Sequence, residues 1–122
     1  MYIYILSPVR KLTDFRRKFL LKYAEGLEKA GHLVHLPLRD TPQDDQEGLT
    51  IFKCNRQAIA NADEIHVYWT STSTGSVFDL GMLFGFKKSM KLINRDVIKP
   101  TPHASFENIL IALDEIYRAN SK

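Results

Sequence analysis

The residues best suited to chemistry lie in one stretch, 70–86, with the sequence TSTSTGSVFDLGMLFGF. Asp79 is the one charged residue between Gly75 and Phe86, in a segment whose apolar residues recur with a helical period. Met82 and Leu83 follow it by three and four residues, so the carboxylate shares its helix face with apolar side chains. A carboxylate placed this way, behind a hydroxyl-rich helix start, is suited to act as a nucleophile or to bind a ligand. We therefore predict that this helix carries the active site, although the helix dipole alone also favours an acid near a helix N-terminus.

The segment before Asp79 is suited to hold an anion, because hydroxyls and backbone N–H groups meet at a helix N-terminus. The predicted ligand-binding turn consists of Thr70, Ser71, Thr72, Ser73, Thr74, Gly75 and Ser76. Ser7, Arg10 and Lys11 follow the first predicted strand and would add a hydroxyl and two positive charges to the same place. Together these groups suit a phosphate-bearing ligand. The alternative is a solvated loop with a helix cap and solvated basic residues.

Two more polar residues lie in apolar surroundings. Asn55 comes four residues after Ile51 and four before Ile59, on the apolar stripe of a predicted helix. A polar amide there needs a partner, which is either a hydrogen bond within the core or a ligand hydroxyl. Tyr4 lies on the first predicted strand, where a tyrosine is either a core residue with its hydroxyl at the edge or part of the site.

The elements that must position these residues alternate between strand and helix. The predicted strands are 2–6, 32–36, 64–69 and 90–93, and the predicted helices are 13–30, 49–61, 75–87 and 104–119. A polar loop, 37–48, and an irregular segment, 94–103, complete the chain. The last helix places Ile109, Leu113, Ile116 and Tyr117 on one apolar face.

Parallel strands need crossover connections, and the crossover helices cover the sheet. We therefore predict an α/β fold: a single domain, 1–122, with one doubly wound, flavodoxin-like or Rossmann-like parallel sheet of four to five strands and helices on both faces. Ligands bind such folds beyond the carboxyl ends of the strands, where the strand order reverses. That rule brings the loops 7–13, 37–48 and 70–75 together.

Composition limits the class of protein. The chain has 122 residues, of which 44% are hydrophobic, a size and composition that suit one globular domain. Its net charge of +3 suits an anionic small molecule as well as nucleic acid. A single cysteine, Cys54, excludes an internal disulfide, and neither a secretion signal nor an apolar run of about 20 residues is evident. We expect a cytoplasmic protein without a membrane partner.

Several other chemistries are not expected. The four histidines lack the spacing of metal ligands, so we predict no metal site. The segment STSTG is similar to a flavodoxin phosphate loop, but such a loop follows the first strand, which here is followed by SPVRK; FMN is therefore not expected, nor is another cofactor. The basic clusters 16–18 and 87–88 are interpreted as solvated helix faces, so nucleic acid is not an expected partner.

The segment 62–94, which includes STGSVFDLGMLFGFKKSMKLIN, resembles the nucleoside 2-deoxyribosyltransferases and the related 2′-deoxynucleoside 5′-phosphate N-hydrolases. In that family a glycine-containing turn leads into Glu-Leu-Gly or Glu-Ile-Gly. Asp79-Leu80-Gly81 stands at this motif, and Lys91 lies at the strand that follows. The similarity extends to Tyr4 on the first strand and to the order of strands and helices.

The resemblance implies a mechanism. Asp79 would attack the anomeric carbon of a nucleoside and displace the base, and a second base or water would then take the sugar. Tyr4 would position Asp79, Asn55 would stand where members have an Asp that assists the base or sugar, and the hydroxyl run would hold a 5′-hydroxyl or 5′-phosphate. The implied partners are a nucleoside or nucleotide and, since members often complete the site with a neighbouring subunit, at least one more copy of the chain.

The sequence departs from the family at both acidic positions, with Asp79 in place of Glu and Asn55 in place of Asp. The aspartate is one methylene shorter, and a displacement of about 1 Å in a nucleophile can lower the rate about 100-fold. An amide cannot relay a proton as a carboxylic acid can. The first hypothesis is therefore an N-glycosidase or deoxyribosyltransferase, and the alternative is a catalytically inactive nucleotide-binding module on the same fold.

Overall fold

A four-stranded parallel sheet forms the centre of the computed structural model, which describes residues 1–45 and 47–121. Its strands are β1 (Tyr2–Leu6), β2 (Leu33–His35), β3 (Glu64–Val67) and β4 (Ser89–Leu92). They are arranged in the order β2-β1-β3-β4, and every neighbouring pair is parallel. The direction in which the chain adds strands reverses at β1. This arrangement confirms the predicted doubly wound, flavodoxin-like sheet.

Five α-helices connect or flank the strands of the described chain. They are α1 (Asp14–Lys29), α2 (Pro37–Asp40), α3 (Leu49–Asn61), α4 (Thr74–Gly85) and α5 (Phe106–Asn120), and a short 3-10 helix spans Arg95–Val97. Helix α1 begins where its sequence predicts, because the Thr13 hydroxyl accepts a hydrogen bond of 3.2 Å from the Arg16 amide. Gly31, with φ +96°, directly follows the end of this helix region, as is common for a residue that ends a helix.

The predicted polar loop 37–48 contains helix α2, which the sequence analysis missed. Pro37 stands in the first turn, where a missing N–H does no harm. Arg39 forms an ion pair of 2.8 Å with its neighbour Asp40 in the same short helix. It forms a second ion pair of 2.8 Å with Glu28 of α1, which connects the two helices. The stability of α2 therefore depends on a contact with an earlier helix, which local sequence patterns do not report. Gln46, in the same loop, lies outside the described residues.

Alternating side chains of the strands build a core on each face of the sheet. On one face, Tyr4 packs with Ile59 of α3 and Leu80 of α4. On the other, Ile5 packs with Leu20 of α1. Helices thus cover both faces, and the pleat of β1 places Tyr4 on the same side as α3 and α4.

The buried face of helix α5 matches the predicted one only in part. Leu113 and Tyr117 are partly buried, and Leu113 packs against the core, as predicted. Ile109 and Ile116 are instead 47% and 57% exposed, whereas Leu110, Ile111 and Asp114 are buried. The reason is polar: the Asp114 carboxylate accepts hydrogen bonds of 2.7 Å from the Leu92 amide on β4 and from the Arg118 guanidinium. The Leu92 N–H lies on the edge strand β4 and needs a hydrogen-bond partner. Because Asp114 is that partner, α5 is rotated about its axis so that Asp114 faces the sheet.

None of the helices within the described residues is both long enough and apolar enough to cross a membrane.

Candidate functional site

A cleft of about 700 Å³ lies beyond the carboxyl ends of the strands. Four segments contribute most of its lining: the loop after β1, the turn that leads into α4, the segment after β2 with Pro37, Gln43 and Gly48, and one face of α3 that carries Ile51, Phe52 and Asn55. Its volume is in the range of small-molecule sites, and it occupies the position where folds of this type bind ligands. The cleft therefore brings together the loops that the sequence analysis expected to meet.

Asp79 lines this cleft from the second turn of α4. Tyr4, which is completely buried on β1, donates a hydrogen bond of 2.9 Å from Oη to Asp79 Oδ2. Burial raises the pKa of Asp79 from its usual 3.8 to about 6, and the hydrogen bond from Tyr4 opposes part of that rise. Since this value lies below 7, the carboxylate is mostly ionised at neutral pH, as a nucleophile must be.

The Tyr4 phenol keeps its proton in this arrangement. Burial, reinforced by the charge of Asp79 and by their hydrogen bond, raises the pKa of Tyr4 well above its ordinary value of 10.0. Tyr4 therefore acts as a fixed donor and does not itself line the cleft. Oδ2 of Asp79 is hydrogen-bonded to Tyr4 on strand β1. Oδ1 makes no hydrogen bond to any described residue, so it is available to a ligand.

Asn55 is 8% exposed and lines the same cleft. Its Oδ1 accepts a hydrogen bond of 2.8 Å from the Thr41 hydroxyl, which in turn lies 2.7 Å from His35 Nε2. The His35 ring stacks parallel to the Tyr4 ring, with centroids 5.5 Å apart. The amide thus has a core partner for its oxygen, while its Nδ2 makes no hydrogen bond to any described residue.

Two buried hydroxyls, one directly after β1 and one in the first turn of α4, have no hydrogen-bond partner among the described residues. Ser7 Oγ and Ser76 Oγ belong to residues that are 6% and 2% exposed, and both residues line the cleft. The helix itself is capped by Ser73, whose Oγ accepts a hydrogen bond of 3.2 Å from the Ser76 amide. Because buried hydroxyls are normally paired, these two point to a ligand that accepts hydrogen bonds. Arg10 and Lys11 line the cleft with them.

Nearly all of the predicted ligand-binding residues line the cleft. They are Ser7, Arg10, Lys11, Thr70, Thr72, Ser73, Thr74, Gly75 and Ser76. Ser71 is exposed and does not line it. Arg16, which the sequence analysis interpreted as part of a solvated face, contributes to the lining.

An aromatic pair at the cleft was not predicted from the sequence. The rings of Phe52 and Phe78 meet edge to face, with centroids 5.5 Å apart, and both residues line the cleft. The Arg56 guanidinium lies 4.9 Å from the centre of the Phe52 ring. A signal was present for Phe52, since it precedes Asn55 by three residues and therefore shares its helix face. Phe78 adjoins Asp79, but its sequence gives no sign of which way it points.

No group of three histidine, cysteine, aspartate or glutamate side chains within residues 1–45 and 47–121 is placed to hold a metal ion. Cys54 is partly buried, and its sulfur lies 3.7 Å from the Thr41 hydroxyl.

The sheet order defines a flavodoxin-like α/β protein, and the cleft beyond the carboxyl edge of its sheet is the candidate site. No protein-family model matches the chain, and no curated protein matches it. Among solved structures, the chain is similar to a 2-deoxyribosyltransferase from Bacillus psychrosaccharolyticus, with a TM-score of 0.59 and 21% identity over 91% of this chain and 90% of that one. It is also similar to a conserved protein from Enterococcus faecalis V583, with a TM-score of 0.62 and 13% identity over 95% of this chain and 87% of that one. At these identities the likeness shows the fold.

Proposed function

We propose that the protein cleaves or transfers at the N-glycosidic bond of a (deoxy)nucleoside or nucleoside 5′-monophosphate, with Asp79 as the nucleophile. The observation that carries the proposal is the 2.9 Å hydrogen bond that fixes the Asp79 carboxylate to Tyr4 at the wall of the cleft. The structural likeness to a 2-deoxyribosyltransferase supports the same reaction class.

The lining of the cleft combines two kinds of group that suit a nucleotide. The unpaired hydroxyls of Ser7 and Ser76, the N-terminus of α4 and the nearby cationic groups suit a phosphate. The aromatic pair Phe52–Phe78 suits a base. Asp79 follows Ser76 by three residues, so the two side chains share one face of α4 and both line the cleft.

The reaction proceeds in two balanced steps. An oxygen of Asp79 attacks C1′ of the sugar, the C1′–N bond breaks, and its electron pair leaves with the base, which takes a proton from solvent. The resulting glycosyl ester is then attacked at C1′ by water, giving hydrolysis, or by a second base, giving transfer. The attacking group gives its proton to solvent, the bond between C1′ and the Asp79 oxygen breaks, and its electron pair returns to the carboxylate. Tyr4 holds the non-attacking oxygen throughout, so the carboxylate loses little freedom when it reacts.

The test is a panel of (deoxy)nucleosides and their monophosphates, incubated with and without an acceptor base while free base is followed by chromatography. The unmodified protein is expected to release base, and Asp79→Ala to release none. Asp44→Asn, which removes an exposed carboxylate outside the cleft, serves as the matched control and should keep full activity. Full activity in Asp79→Ala would refute the role of the nucleophile.

A second candidate is an inactive nucleotide-binding module. The specific observation in its favour is Asn55, whose amide oxygen is already occupied by Thr41 and which cannot relay a proton. Binding of a monophosphate without any release of base from the panel would establish this candidate and eliminate the enzyme.

A further inference from the structure

The Asn55 amide points its oxygen at the Thr41 hydroxyl. A threonine hydroxyl carries one proton. Thr41 donates that proton to Asn55 Oδ1 at 2.8 Å, so its 2.7 Å contact with His35 Nε2 needs the histidine as donor. His35 therefore carries its proton on Nε2, and the order of donors runs from His35 through Thr41 to Asn55.

This order is held by rigid surroundings. Thr41 is buried, and its backbone N–H donates to the Pro37 carbonyl at 3.1 Å. The His35 ring is fixed on strand β2 by its parallel stacking against Tyr4. With its oxygen engaged, Asn55 has only its NH2 group left for the cleft that it lines, and that group makes no hydrogen bond to any described residue.

From this geometry we infer that Thr41 is a positioning residue that presents Asn55 to the ligand as a hydrogen-bond donor, and that the site consequently prefers oxo bases over amino bases. This inference rests on the proposed function. Asn55 lies on the same helix face as Phe52, whose aromatic ring suits a base, and both residues line the cleft. A carbonyl oxygen of a base accepts from that group, whereas an exocyclic amino group would place two donors against each other.

The experiment compares pairs of nucleotides that differ in the exocyclic group and in the protonation of the ring nitrogen beside it: 2′-deoxyinosine with 2′-deoxyadenosine 5′-monophosphate, and 2′-deoxyuridine with 2′-deoxycytidine 5′-monophosphate. Affinities are measured by calorimetry in Asp79→Asn, so that no base is released during the titration. The oxo member of each pair is expected to bind about tenfold more tightly, in the range set by one unmatched donor in a buried site.

Three variants made in the same background separate orientation from packing. Thr41→Val keeps the shape but removes the hydroxyl, so the amide is free to turn and the preference should fall to about twofold or less. Thr41→Ser keeps the hydroxyl and should restore the preference. Asn55→Asp replaces the donor by an acceptor and should reverse the preference in favour of amino bases. A purely structural role for Thr41 would weaken binding of both members of a pair equally and leave their ratio unchanged.

The outcomes distinguish two kinds of failure. Equal binding of oxo and amino nucleotides, a preference for amino bases with Asn55 present, or an unchanged ratio in Thr41→Val would overturn the inference while leaving nucleotide binding intact. Failure of every monophosphate and of the corresponding nucleosides to bind would refute the proposed function and the inference with it.

Discussion

The substitution Asp79→Asn should stabilise the protein at neutral pH, although it removes the proposed nucleophile. Burial of the carboxyl group raises its pKa from 3.8 to about 6 in the folded state. A difference of this size corresponds to about 3 kcal/mol, because each tenfold change in proton affinity is worth about 1.4 kcal/mol. The Tyr4 hydroxyl can still donate to the amide oxygen of the variant, so the substitution removes the buried charge and retains the hydrogen bond.

The effect depends on pH in a defined direction. Below pH 3.8 the carboxyl is protonated in both folded and unfolded chains and brings no penalty. Between 3.8 and about 6 the unfolded chain loses the proton first, so the unmodified protein loses stability as pH rises, and this loss is complete above pH 6. An amide does not titrate, so the advantage of Asp79→Asn should grow from about 1 kcal/mol at pH 4.5 to about 3 kcal/mol at pH 7.5.

Urea unfolding of both proteins across this pH range measures the difference in their free energies of unfolding. The comparison requires that the two proteins show the same dependence of this free energy on urea concentration. Asp44→Asn, at an exposed position, controls for the loss of a negative charge and should show no such growth. A difference for Asp79→Asn that is constant with pH, or that shrinks as pH rises, would refute the reasoning.

Three further outcomes follow from the same contacts. Tyr4→Phe removes the hydrogen bond that lowers the pKa of Asp79, so the midpoint of the pH–rate profile should move above 6 and the rate should fall about 10–100-fold; an unmoved midpoint would argue against the contact. Ser76→Ala removes an unpaired buried hydroxyl, so affinity for a monophosphate should fall about fivefold or more while thermal stability is kept, and the exposed Ser71→Ala should change neither. Asp114→Ala leaves a β4 N–H and the Arg118 guanidinium without their partner, and chemical denaturation should report a loss of about 3 kcal/mol; a loss below 1 kcal/mol would contradict the edge contact.

Features that show as a clear period or as an unusual residue in a short stretch of sequence were predictable. Helix α3 spans Leu49–Asn61 as predicted, because its apolar stripe has a clear helical period between a glycine and a strand. Asp79 stood out because it is the one charge in an apolar helix, and the hydroxyl run before it stood out by composition. The fold rule for parallel sheets then placed both at the edge where the cleft lies.

Features that depend on contacts between distant residues were not predictable. Helix α2 is held by an ion pair between Arg39 and Glu28, and the rotation of α5 is set by the contact of Asp114 with the sheet edge. The partner of Asn55 is Thr41, fourteen residues earlier in the chain. Periodicity reports which residues share a face, but it does not report which polar group that face will meet.

Tyr4 joins the carboxylate of the proposed nucleophile to the middle of the sheet, and this has a consequence for how the protein can change. Strand β1 lies between β2 and β3 and is hydrogen-bonded on both sides. The hydrogen bond from Tyr4 therefore ties the Asp79 carboxylate to an inner strand of the sheet. The loops after β1 and β2 line the cleft but take no part in that hydrogen bond. The shape of the cleft and the position of Asp79 are therefore separable under mutation. Variation confined to residues 8–12 and to Gln43 can alter what the cleft accepts while the Asp79 carboxylate stays in place, which makes this small chain a suitable scaffold for evolving new specificities.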